Sequence, residues 1–197
     1  MLFAPQTEWA CIARELTTPA RLYTRYVMPL AALAALVAFV RVWLAHGSSG
    51  LAHGSSGLAA GAPLVSALAL STFTYGCELV GVYTLALIIN ALASPFGSAR
   101  SQPQALKVAI YAFTPIWISS VFVPFPTLST PMQLLGGIYY TYLLYLGLQR
   151  VMRSPRDRAL GYAATVVLSS IFLGIVFTLL GDILGQAIHV GHYHVFG

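Results

Sequence analysis

The chain has 197 residues, of which 58% are hydrophobic and only 8% charged, and its mean hydropathy is +0.79, whereas a soluble domain carries about 25% charged residues. No water-soluble core needs so much apolar surface, and two cysteines, Cys11 and Cys77, supply no disulfide framework. The net charge of +5 does not indicate nucleic acid binding, because every basic residue except Arg41 falls in one of three short segments, Arg14 to Arg25, Arg100 to Lys107 and Arg150 to Arg158, that flank apolar runs. Anionic lipid headgroups are the expected partner of those segments.

Residues 1–26 read as a short amphipathic helix in the cytoplasmic interface, with Trp9, Ile12 and Leu16 at helical spacing and Arg14, Arg21 and Arg25 elsewhere. A signal peptide is the competing reading, but its charged lead is too long and no small-residue cleavage site follows the apolar run. The first span is expected over 27–44, with Pro29 in its first turn. A polar connection from Ala45 to Pro63 then holds the heptapeptide LAHGSSG twice in tandem, at 44–50 and 51–57, and its glycines and serines predict a flexible linker. So short a duplication is read as an inserted repeat that a linker tolerates.

Further spans are predicted at 64–93, 105–123, 132–149 and 159–188, followed by a tail at 189–197. The second is long enough to require tilt or projection. The third carries Pro115, where a kink is expected, and a proline-rich turn from Pro124 to Pro131 leads into the tyrosine-rich fourth. The fold class is therefore all-α: a polytopic integral membrane protein with five transmembrane helices over 27–188. Five passes with all basic clusters on the cytoplasmic side place the N-terminus inside and the C-terminus in the periplasm.

Glu78 is the pointed candidate for chemistry, an acidic residue near the middle of the second span with Ser71, Thr74, Tyr75 and Gly81 at helical spacing from it. A proton or cation site is one reading; a carboxyl group joining helices by hydrogen bonding is the preferred one, since relays carry several ionisable groups. Ser170, Gly174, Gly181 and Gly185 line one stripe of the fifth span and predict close helix packing, against another span or a second copy. His189, His192 and His194, with His46 and His53 on the same side, could ligate zinc, copper or nickel, although solvated terminal histidines are preferred and no cofactor is expected. Arg41 is expected to snorkel or to pair with Asp182. No nucleophile with a base, phosphate loop or paired carboxylates is present, so no enzyme is indicated.

Three stretches resemble the Yip family of small five-span membrane proteins, in its bacterial branch: Pro5 to Trp9, ALKVAIYAFTPIWI at 105–118, and YYTYLLYLGLQRVMRSPRDRALGY at 139–162. The resemblance implies five helices in a bacterial inner membrane and no catalytic residues. Eukaryotic members sit in Golgi and endoplasmic reticulum membranes, associate with one another and contact Rab GTPases; this chain lacks their long hydrophilic N-terminal region. The expected function is a non-enzymatic scaffold, adaptor or membrane organiser, a homo-oligomer or a subunit of a larger complex, with a small transporter or channel using Glu78 as the alternative. In a background without Cys11 and Cys77, Arg156→Cys and His192→Cys are expected to react with impermeant maleimide from opposite faces of the membrane. Labelling of both from one face would contradict the odd number of passes.

Overall fold

The computed structural model describes residues 8, 9, 12, 18–53 and 61–195. Every regular element among them is helical: α1 (Pro19–Leu22), a π-helical turn (Tyr23–Val27), α2 (Met28–His53), α3 (Gly61–Leu92), α4 (Gln102–Ser120), α5 (Pro126–Arg150) and α6 (Arg156–Val195). A helix overlaps each expected span, but boundaries differ, and Pro126, expected in a turn, instead occupies the first turn of α5, as Pro19 does in α1, where the missing N–H costs nothing. The first helical path therefore starts before 27, and Pro29 lies inside it; the π turn just upstream loosens the ladder where the proline ring would meet the Arg25 carbonyl.

At the other end, α2 continues to His53 through the first heptapeptide copy and α3 begins at Gly61, so residues 45–53 and 61–63 of the expected linker are helical, and 54–60 lie outside the described residues. Propagating a helix needs one bond per residue, which offsets the glycines' low propensity. Likewise α6 runs to Val195, through the segment expected to be a tail. Its backbone is helical at His189, His192 and His194, whose side chains lie outside the described residues, as do Leu16 and Cys11.

Among the described residues three helical stretches, fewer than the five expected, are long and apolar enough to cross a bilayer: Pro19–Arg41, Ala67–Leu92 and Arg156–Gln186. The two that fall short of that measure, α4 and α5, include the most enclosed helix in the molecule. Buried side chains run along α4 without a gap from Ala105 to Ile110 and continue at Ala112, Thr114, Pro115, Trp117 and Ser119. It packs against α2, α3 and α5, so its sides meet protein rather than lipid and need not be apolar all round. The helix continues unbroken through Pro115.

Close approach of α5 to α4 depends on two glycines eleven residues apart, on one helical face. A Cβ on Gly136 would lie 2.7 Å from Ser119 Oγ and 3.1 Å from the Pro115 carbonyl; one on Gly147 would lie 2.8 Å from Trp9 and 3.1 Å from Val108. Such small residues are how helices approach in lipid, where apolar surface alone gives little association.

Trp9 and Ile12 are buried in the core, at 0% and 8% exposure. Trp9 meets Tyr111 edge-on at 6.3 Å, and the Lys107 ammonium, itself 3% exposed, donates to the Ile12 carbonyl at 3.0 Å. The N-terminal segment is thereby latched onto α4 and α5. Two basic connections meet at the same end, where Ala99 N–H donates to the Met152 carbonyl at 3.1 Å and Phe96 stacks on Tyr162 at 5.0 Å. The described part of the first basic segment, Arg21 and Arg25, and the two basic connections consequently gather at one end of the bundle. Left-handed backbone at Gly97, φ 69°, tightens the first of these turns. Replacing Gly147 by Leu is expected to expel Trp9: its indole fluorescence should shift red and residues 8–12 should become protease-sensitive. Unchanged protection would show that the latch does not depend on this contact.

Candidate functional site

The site begins with an omission in the packing: α2 and α6 both pack on α3 but share no extensive contact with each other. Between them a cleft of about 870 Å³ opens over α3, reaching Phe113 of α4 at its base. Glu78 projects into it from α3, Arg41 from α2, and Asp182 and Gln186 from α6. Glu78 sits near the middle of the apolar stretch Ala67–Leu92, whereas Arg41 and Asp182 lie at or near the ends of theirs, Pro19–Arg41 and Arg156–Gln186. The Glu78 carboxyl group therefore lies at mid-height of the bundle, and Arg41 and Asp182 lie toward the end away from the basic turns. Arg41 and Asp182, expected as a pair, share that cleft.

Glu78 is held across the interface between α3 and α4. The buried Trp117 donates its indole N–H to Glu78 Oε2 at 3.0 Å, which gives the carboxyl group one fixed partner in a region where isolated polar groups are costly. Trp117 in turn packs on Phe113 at 5.8 Å, and Phe113 on Tyr140 at 5.2 Å. Other polar groups of the spans likewise join separate elements: Tyr23 O–H donates to the Leu79 carbonyl at 3.1 Å, Tyr26 and Thr114 share a hydrogen bond of 2.9 Å, and Tyr162 O–H donates to the Ile89 carbonyl.

All four residues of the small-residue stripe, Ser170, Gly174, Gly181 and Gly185, line this cleft. Their neighbour is α3 of the same chain: a Cβ on Gly181 would stand 3.5 Å from Phe73 and one on Gly185 3.9 Å from Leu70, ordinary contacts, while at Gly174 it would meet nothing within 4 Å. The tight crossing is elsewhere, at Gly81, whose Cβ would stand 3.0 Å from Phe177. The stripe thus forms the cleft's wall more than a tight seam. Among the described residues no group of three or more His, Cys, Asp or Glu could hold a metal, and Cys77, a free thiol, also lines the cleft.

Sequence reasoning found Glu78, Arg41, Asp182 and the stripe, but not Trp117, Phe113 or the latch at Lys107. The spacing of Gly136 and Gly147 was a usable signal, since eleven residues are just over three turns, at about 3.6 residues each; the partner of Glu78 had none. Trp117→Phe is expected to lower unfolding stability in detergent by about 1–3 kcal/mol, by leaving a buried acceptor unpaired. Glu78→Gln, whose amide oxygen still accepts from the indole, is expected to cost less. Equal losses in the two variants, read from thermal midpoints, would contradict this assignment.

Comparison with known proteins accords with this architecture. The Yip1 domain profile matches residues 1–178, which include Glu78, Trp117 and the latch, and end before Asp182. The inner membrane protein YohC of Escherichia coli (strain K12) is 26% identical over 166 residues, covering 83% of this chain and 82% of that protein. YohC of Escherichia coli O6:H1 (strain CFT073) matches with the same 26% identity over 166 residues. No solved structure matches. With nearly the whole chain matched, and long apolar helices to accompany the match, the chain belongs to the Yip1 family of membrane proteins.

Proposed function

We propose that this protein is a five-pass protein of the bacterial inner membrane, with its N-terminus in the cytoplasm and its C-terminus in the periplasm, and that it acts without catalysis as a scaffold, adaptor or membrane organiser. The observation that carries this reading is the use made of polar side chains within the helices: Tyr23, Tyr26, Glu78 and Tyr162 each join one element to another. Side chains committed to architecture are what a packing protein needs. Membrane location in the relative YohC supports the compartment.

Five passes are supported by dimensions as well. The 19 residues of α4, at about 1.5 Å each, span roughly 28 Å, close to the thickness of a hydrocarbon core. Enclosure by its neighbours explains its modest apolarity. On the outside, α6 offers Leu168, Phe172, Ile175, Leu179 and Ile183, and α5 offers Leu134, Leu135 and Ile138, all exposed. These faces suit lipid or a partner's helix, and association with further copies or a larger membrane complex follows from the scaffold reading.

The cleft favours a second reading, a small transporter using Glu78, because it brings that carboxylate to an open space at mid-depth. Two measurements separate them. Native mass spectrometry from mild detergent is expected to show a reproducible homo-oligomer or complex, and liposomes are expected to show no proton or ion flux above protein-free controls. A strictly monomeric protein whose flux disappears in Glu78→Gln would replace the scaffold with the transporter.

A further inference from the structure

We propose that the cleft between α2, α3 and α6 is a binding site for a monovalent amphipathic organic cation, an ammonium or phosphonium centre carried on apolar groups. The proposal is independent of the scaffold reading, since a ligand site needs neither self-association nor transport. Its volume of about 870 Å³ lies within the range of small-molecule sites, about 300–1,000 Å³. Three phenyl rings from three helices, Phe73, Phe113 and Phe177, contribute to its walls, and aromatic faces attract cations that have shed water.

Charge selects the sign of the ligand. Two carboxylate residues, Glu78 and Asp182, face one guanidinium, Arg41, across the same space, so their ionised forms sum to one negative charge. The indole N–H of Trp117 fixes Glu78 Oε2 from the α4 side, which orients the group instead of letting it swing toward the mouth and Arg41. An anion would meet Glu78 at mid-depth. A neutral apolar molecule would fill the volume yet leave Glu78, which is part-buried, without solvent or counterion, a costly state in a membrane. A cation with apolar substituents answers both the rings and the carboxylate, and it partitions into the bilayer from which a gap between helices is reached.

The small side chains of α6 keep the wall open. At Gly174 an added Cβ meets nothing within 4 Å, so a larger side chain there occupies cleft volume without displacing backbone, and leucine also favours the helix over glycine. This position therefore blocks the site while sparing the fold.

Equilibrium dialysis of the full chain in detergent against tetraphenylphosphonium, with a detergent-only chamber subtracted, provides the test, and uncharged triphenylphosphine oxide is the comparator. Wild type is expected to bind the cation saturably and to bind the oxide at least about tenfold more weakly. Glu78→Gln and Gly174→Leu are each expected to weaken cation binding by about tenfold or more, Gly174→Leu with an undiminished thermal midpoint. Leu179→Ala, on the exposed face of α6, is expected to bind as wild type does. Absence of saturable binding, equal affinity for cation and oxide, or undiminished binding by folded Gly174→Leu would each overturn the proposal; if Glu78→Gln fails to fold, Gly174→Leu decides.

Discussion

Lipid supplies no hydrogen bonds, so a polar group placed among these helices is stabilised by a partner from within the protein. That constraint organises the bundle around α4. Its lysine reaches a backbone carbonyl, Lys107 to Ile12; its threonine meets a tyrosine, Thr114 to Tyr26; and its indole meets a carboxylate, Trp117 to Glu78. In each pair one partner comes from a different element, so satisfying α4 also brings its neighbours into place. A helix that falls short of the apolarity needed to face lipid is thereby kept from it by its neighbours.

Close packing supplies the second condition. Gly136 and Gly147 bring α5 within reach of Ser119, Val108 and Trp9, and Gly81 does the same for Phe177 on the α6 side. Between these tight crossings the gap over α3 is left unfilled, because α2 and α6 lean on α3 without leaning on each other. Function is proposed at that gap for a structural reason: it is where charged residues of separate helices face common space rather than one another's hydrogen-bonding groups.

Much of this could be read along the chain. Apolar runs of about twenty residues mark helices regardless of tertiary context, and the position of Glu78 within one of them is visible without coordinates. Helix starts were less legible, because Pro19 and Pro126 serve as first-turn residues although proline also breaks helices. Lys107 illustrates what sequence hides: among basic neighbours it reads as a solvated charge, yet a carbonyl 95 positions away accepts from it. Trp9 reads equally well as an interfacial anchor, and only the notch at Gly147 distinguishes a buried residue from one lying on lipid. The cleft had no linear signature at all, since it arises from a contact that two helices do not make.

Lipid footprinting with a membrane-partitioned diazirine tests the central claim, that α4 is sheltered by its neighbours, most directly. The account predicts strong labelling of Phe172 and Ile175 on α6 and of Leu134, Leu135 and Ile138 on α5, where side chains are exposed, with Val108, Ala109 and Ala112 of α4, each 0% exposed, left unmodified. Labelling of those α4 positions as heavy as that of α6 would contradict it.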